Sequence, residues 1–313
     1  MAKISWTDKT WNPTTGCSRV SSGCDNCYAE ALSLRQGWSK KPWTAENADE
    51  NIILHPDRLK KPYSWRSPAR VFVNSMSDLF HPKIPKAFVD EVFAVMNDLP
   101  QYTFQILTKR PRRAASYRGE WSVNIWMGTS IESRDTLYRI DFLRQCPAKT
   151  RFLSLEPLLE SLGEIDLDGI HWVIVGGESG PGYREMDHSW AREIRDQCVD
   201  RNIPFFFKQS AASRTEMGTS LIEADGSKNV WNNFPLATSA RHLAEQIPIA
   251  ASTDRTREKQ RIYCFRCRQP TPHAEMPCDY EEYAENWLMY VCGMCGLKAY
   301  ARKDLEIIGG KVS

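Results

Sequence analysis

Three cysteines fall within eleven residues near the start of the chain, in Gly16-Cys17-Ser-Arg-Val-Ser-Ser-Gly23-Cys24-Asp-Asn-Cys27-Tyr28, a C-x6-C-x2-C spacing. Gly16 and Gly23 tolerate positive φ and Pro13 fixes an entry turn, so the loop can fold back and bring the sulfurs towards one point. Three thiolates with no fourth ligand nearby leave a coordination position open, as a reactive iron–sulfur cluster or a catalytic metal requires. The spacing alone equally allows a structural zinc loop completed by a distant His or Cys. Near the other end, Cys264-Phe-Arg-Cys267 and Cys292-Gly-Met-Cys295 form two C-x-x-C pairs 24 residues apart. Four thiolates so spaced predict a closed tetrahedral zinc site in a small ribbon module; His273 and Cys278 are weaker substitutes.

The letters around the first loop say more. Asn12-Pro13-x-x-Gly16-Cys17-Ser18 followed by Cys24-x-x-Cys27-Tyr28-Ala29 resembles the cluster loop of radical S-adenosylmethionine (SAM) enzymes, in particular the spore photoproduct lyase-like branch. There the first two cysteines stand three residues apart; the longer interval here resembles a phage-associated family of three-cysteine-motif proteins. The resemblance covers about residues 1 to 240. It implies a [4Fe–4S] cluster on Cys17, Cys24 and Cys27, SAM bound at the open iron, and a 5′-deoxyadenosyl radical that takes a hydrogen from substrate. It also implies an electron-donor partner such as a flavodoxin or ferredoxin.

The elements that must position such a site read as alternating strands and helices. Short apolar strands are predicted at 70–74, 102–107, 124–128, 150–155, 172–175 and 203–207, with one more near the cysteine loop. Amphipathic helices are predicted at 28–36, 86–99, 134–145 and 189–200, with a short basic helix opened by Pro111. Such alternation predicts an α/β fold, a partial or complete parallel (β/α) barrel of about seven units. No G-x-G-x-x-G follows the first strand, which weighs against a dinucleotide site. The polar, aromatic stretch 37–65 reads as an insertion over the cluster mouth.

In such a barrel the chemistry lies at the carboxyl ends of the strands. Those ends carry Asn74-Ser75-Met-Ser77-Asp78, Thr108-Lys109-Arg110, Thr129-Ser130-Ile-Glu132, Glu156-Pro157, Gly176-Gly177-Glu178 and Lys208-Gln209. One polar strand end is ordinary; six in succession point to a site. By the resemblance, Ser77 and Asp78 lie near the SAM ribose, Lys109 meets its carboxylate, Ser130 is the matching serine one strand later, and Tyr28 packs beside the cluster. Asn74, Ser75 and Glu156 join the expected cofactor-binding set. Gly176, Gly177 and Glu178 have the letters of the amine-binding motif, but on the sixth strand instead of the second, so Glu178 is assigned to catalysis, facing substrate. Where photoproduct lyases carry a hydrogen-donating cysteine this chain has Ser75, a poor hydrogen-atom donor, which disfavours lyase chemistry itself.

Composition bounds the rest. The chain has 313 residues, 42% hydrophobic, with a formal net charge of +2, enough for one large domain and a small appendage. The expected division is a barrel at 1–246, a linker at 247–260 and the zinc-ribbon module at 261–313. No run of eighteen apolar residues and no apolar leader is present, so a cytoplasmic location and no membrane partner are expected. Cys146 and Cys198 fall in helix-like segments and read as small buried hydrophobes. Whole-molecule charge favours no partner, but Lys109, Arg110, Arg112, Arg113 and Arg118 form one basic cluster, and Arg255 to Arg268 another. Each cluster alone is most simply a solvated face; together with the zinc module they make nucleic acid the expected substrate, DNA ahead of RNA, with base modification or repair as the reaction. The alternatives are a non-catalytic nucleic-acid-binding protein with two structural zinc sites, and radical chemistry on a protein or small molecule.

Overall fold

Aromatic and branched residues dominate the central strands, as in Arg70-Val-Phe-Val73 and Trp172-Val-Ile-Val-Gly176, and such runs fit a sheet covered on both faces. The computed structural model describes residues 4–235 and the backbone of strands at 261–264, 269–277, 287–292 and 298–302. The chain divides into two compact units, Met1–Leu236 and Ala237–Ser313.

In the first unit the strands are β1 (Lys9–Trp11), β2 (Thr14–Thr15), β3 (Ile53–Leu54), β4 (Arg70–Val73), β5 (Thr103–Thr108), β6 (Ile125–Ser130), β7 (Thr150–Leu155), β8 (Trp172–Gly176), β9 (Phe205–Gln209), β10 (Leu221–Ile222) and β11 (Lys228–Asn229). The helices are α1 (Tyr28–Arg35), α2 (Ala48–Asn51), α3 (Lys86–Asp98), α4 (Pro111–Ser116), α5 (Arg139–Arg144) and α6 (His188–Asp200). Seven strands form one sheet in the order β1-β4-β5-β6-β7-β8-β9, each pair parallel. This bears out the α/β reading with parallel strands. Among the described residues β1 and β9 do not pair, so the barrel is partial and its edge stays open.

The sheet is strongly curled. Trp6 lies 4.6 Å from Phe72 on β4 and 6.2 Å from Trp172 on β8, measured between ring centroids. Those strands are four positions apart, a span of about 19 Å in a flat sheet, which one ring cannot bridge. Phe234 repeats the test, with the Arg70 guanidinium 3.9 Å from its ring centre and Phe206 on β9 at 5.2 Å. Trp6, Phe72, Trp126, Phe152, Trp172 and Phe206 thus fill the concave face at the strands' amino ends. Alternate residues such as Val71, Phe104, Met127 and Val173 face the larger core under the helices. On α3, Phe88, Val89, Val92, Phe93 and Met96 are buried on one stripe, each contributing roughly 1.5–3 kcal/mol.

One expectation shifts locally. The helix expected at 134–145 is a 3-10 turn, Arg134–Thr136, followed by α5. The Thr136 hydroxyl donates to the Ser133 carbonyl, and Arg139 turns inward to Ser130 O at 2.8 Å and Glu132 Oε2 at 2.9 Å. Between β7 and β8 the chain crosses without a helix. Asp187 caps α6, accepting from the Ser189 amide. Cys146 and Cys198 are fully buried in the larger core, as expected.

In the second unit four strands, β12 (Arg261–Cys264), β13 (Gln269–Pro277), β14 (Trp287–Cys292) and β15 (Lys298–Arg302), form an antiparallel sheet in chain order. Cys264 and Cys292 each end a strand, and the two strands run in the same direction. Cys267, Cys278 and Cys295, the expected linker and most of the second basic cluster lie outside the described residues. Among the described residues no helix is long and apolar enough to cross a membrane.

Candidate metal centre

The cysteine loop turns back at Gly16, whose φ is +85°; a Cβ there would stand 1.8 Å from the Asn51 carbonyl oxygen, so only glycine permits the approach. Gly16 N donates to Met76 O at 2.9 Å, tying the loop to the end of β4. Asn74 also has positive φ, +66°, which asparagine accepts more readily than most residues. Its turn aims residues 75–78 at the loop, where Asn12 and Ser75 exchange side-chain hydrogen bonds and Ser77 Oγ lies 2.7 Å from Thr14 Oγ1.

One cavity is lined by Cys17, Cys24 and Cys27 together with Tyr28, Asn74, Ser75, Ser77, Asp78, Lys109 and Ser130. Ten of the residues singled out from sequence therefore meet at the carboxyl ends of β4, β5 and β6. Glu156, Gly176, Gly177 and Glu178 are not part of its lining. Glu156 lies further round the sheet, its Oε2 3.3 Å from both Lys208 Nζ and Ser154 Oγ. A Cβ on Gly176 would come within 2.5 Å of Glu156 Oε1, so the missing side chain makes room for that carboxylate.

Glu178 has a different setting from the substrate-facing one expected of it. Its Oε1 takes Arg184 Nη2 at 2.5 Å; its Oε2 takes Asn26 Nδ2 at 2.8 Å, the Arg184 amide at 2.9 Å and Arg184 Nε at 3.0 Å. Arg184 also donates to Ser22 O at 2.8 Å. With both oxygens committed, Glu178 braces the cysteine loop from the end of β8. Burial would raise its pKa, but the donors from Arg184 and Asn26 hold it below the usual value.

Sequence reasoning missed two clamps. Glu30 takes Arg19 through both oxygens, at 3.0 and 3.1 Å, and the Trp43 amide at 2.9 Å, so the aromatic insertion closes onto α1. The only signal was an acid three residues after Cys27. Arg110 had been grouped with the basic cluster. Instead its side chain is buried against Asp78, Ser18 and Cys17. Arg113 likewise donates to the carbonyls of His81 and Ile84, and Arg118 to that of Ala115. Three of the five basic side chains are thus engaged by their own fold. Lys109 Nζ stands 3.9 Å from the buried Glu132 carboxylate.

Among the described residues no three His, Cys, Asp or Glu side chains gather closely enough for a single metal ion. Three thiols spread around one cavity suit a polynuclear cluster, in which each sulfur meets its own iron. Burial, reinforced by Asp78, pushes the Cys17 thiol up to about 12, and Arg110 opposes the rise. Metal binding must displace that proton. Around the concave rim Asn74 Oδ1, Glu132 Oε1 and Glu156 Oε1 are buried acceptors with no hydrogen-bond partner. Of these only Asn74 Oδ1 lines the cavity; a donor-bearing ligand there answers it, and SAM brings an ammonium, ribose hydroxyls and an adenine amine.

The chain belongs to the DUF5131 family. That family, described as protein of unknown function, matches residues 1–257. No curated protein matches. Among solved structures a doubly substituted spore photoproduct lyase with bound AdoMet and dinucleoside spore photoproduct is similar at 14% identity and a TM-score of 0.33, over 60% of each chain. At that level the likeness carries no argument about this member of the family.

Proposed function

We propose that the protein is a radical SAM enzyme whose [4Fe–4S] cluster is held by Cys17, Cys24 and Cys27. The observation that carries the reading is the single cavity in which these thiols meet Asn74, Ser75, Ser77, Asp78, Lys109 and Ser130 at parallel strand ends. When bound, the cluster supplies the electron that cleaves SAM and releases a 5′-deoxyadenosyl radical. The chain's own residues bind, orient and exclude water. Lys109, a half-engaged cation beside Glu132, meets the SAM carboxylate; Asn74 Oδ1 and Ser130 take its donors. Tyr28 donates to Ser75 O at 2.7 Å, fixing its ring at the cavity mouth. Ser75, occupied by Asn12, does not return a hydrogen atom to substrate. Glu178 positions the cysteine loop, and Glu156 with Lys208 faces the substrate side.

For the substrate we infer a nucleic-acid base, DNA ahead of RNA, with the second unit as a zinc-bearing docking module. With Arg110 and Arg113 engaged internally, phosphate contacts fall to Arg112 and to the basic stretch at 255–268. Anaerobic reconstitution tests the whole reading. The wild type should hold about four irons, and SAM cleavage should rise on adding DNA. Cys17→Ala, Cys24→Ala and Cys27→Ala should each lose most of the iron. Iron retained by all three variants, or zinc alone on this loop, would defeat the cluster. Cleavage indifferent to DNA and RNA moves the substrate to a protein or small molecule.

A further inference from the structure

Arg110 is the N-cap residue of α4, two residues after the end of β5, and its guanidinium reaches the sulfur of Cys17. Nη1 donates to Cys17 Sγ at 3.5 Å and to Asp78 Oδ2 at 3.0 Å; Nη2 donates to Ser18 O at 2.8 Å and Ser18 Oγ at 3.2 Å. The side chain is only 12% exposed, so the fork is locked by four contacts and not by solvent. Asp78, its counter-ion, is itself saturated: Oδ1 takes Thr108 Oγ1 at 2.7 Å and the Phe80 amide at 3.0 Å, and Oδ2 takes the Lys109 amide at 3.1 Å. The carboxylate's charge is therefore spread over four donors, whereas the guanidinium points one N–H at the sulfur.

We propose that Arg110 is a positioning and tuning residue for Cys17, holding the ligand in place and making the cluster easier to reduce. The inference rests on the cluster reading above. A hydrogen bond from a cation withdraws electron density from a ligating thiolate, and density withdrawn from sulfur stabilises an added electron on iron. Guanidinium suits the task because it stays charged and its planar fork engages Ser18 and Asp78 while one N–H remains for sulfur. The step it favours is simple: one electron passes from a reduced one-electron donor to the cluster, the donor is oxidised, and no bond or proton is exchanged.

The test uses the full chain, reconstituted anaerobically and titrated with dithionite while the reduced cluster is followed by electron paramagnetic resonance. At a fixed potential Arg110→Gln should lower the reduced-to-oxidised ratio at least tenfold, a shift of 59 mV for one electron. Arg110→Lys, which keeps the charge, should recover much of it. Asp78→Asn should move the ratio the other way, because it removes the opposing charge and leaves the fork. Full iron with an unchanged potential in Arg110→Gln overturns the tuning role. If that variant holds no iron, Asp78→Asn decides: a rise in the ratio supports the proposal, and no change or a fall overturns it. A wild-type chain that takes up no iron sinks the cluster reading itself, a failure visible before any variant is made.

Discussion

Glu178→Gln separates a brace from a catalytic carboxylate. The change keeps the side chain's size, removes one charge and turns one oxygen into an amide that faces donors. In the wild type Glu178 is 4% exposed and Arg184 35%, so the pair is neither fully buried nor free in water. A hydrogen bond to a charged group contributes about 1.5–3 kcal/mol, and the exposed half of the pair is screened. The expected loss is about 2 kcal/mol. For a unit of this size that lowers Tm by roughly 4–8 °C. The pH dependence has a definite sign. The folded pKa is depressed below 4.5, so the wild type's advantage is present above that value and is lost as pH falls through the folded one. Thermal unfolding from pH 7 to 3 should therefore bring the two curves together at the acid end. Iron should also leave the variant faster when a chelator is added, because the brace ends at Asn26 and Ser22 within the cysteine loop. A variant with wild-type Tm and iron but no SAM cleavage would refute the bracing argument and restore Glu178 to the chemistry.

Other substitutions test other joints. Gly16→Ala puts a Cβ against the Asn51 carbonyl at positive φ; it should cost at least about 1–2 kcal/mol in backbone strain alone and reduce iron uptake, as unfolding and iron counts would report. His81, buried beside Arg110, has its pKa lowered from 6.5 to about 4 and stays neutral against Ser18 Oγ; wild-type stability should therefore fall as pH drops from about 6.5 through about 4, and His81→Gln should lack that limb in acid titrations followed by circular dichroism. Glu156→Gln should leave iron content and Tm near wild type, since only Lys208 and Ser154 engage the carboxylate, yet weaken turnover of the bound substrate severalfold in a SAM-cleavage assay; a loss of iron would place Glu156 among the cluster's supports.

The parallel sheet was legible because its strands are apolar runs whose polar ends repeat. Six of the ten cavity residues were legible through the same ends, and Cys17, Cys24, Cys27 and Tyr28 through the spacing of the cysteine loop. Partnerships were not. Nothing in Lys109-Arg110-Pro-Arg-Arg113 distinguishes a side chain that reaches solvent from one that turns back to Cys17 or to the His81 carbonyl; the distinction is made by residues thirty and ninety positions away. The partners of Glu178 were hidden for the same reason, since Asn26 and Arg184 are set by how two loops meet.

Within the cavity most polar groups are engaged by the chain, and in the proposed reading that engagement and its exceptions do different work. Around the cysteines the charged groups are spent: Asp78 on four donors, Glu30 on three and Arg110 on Ser18 and Asp78, with Ser77 on Thr14. Such saturation holds three thiols still, which a cluster needs if its potential is to be set by the chain. The unspent acceptors, Asn74 Oδ1, Glu132 Oε1 and Glu156 Oε1, stand around that fixed core. Each buried acceptor left alone costs about 1–3 kcal/mol, a standing cost that a donor-bearing ligand removes on binding. The strand ends therefore favour ligands presenting several N–H or O–H groups. An apolar molecule filling the cavity would leave Asn74 Oδ1 unanswered.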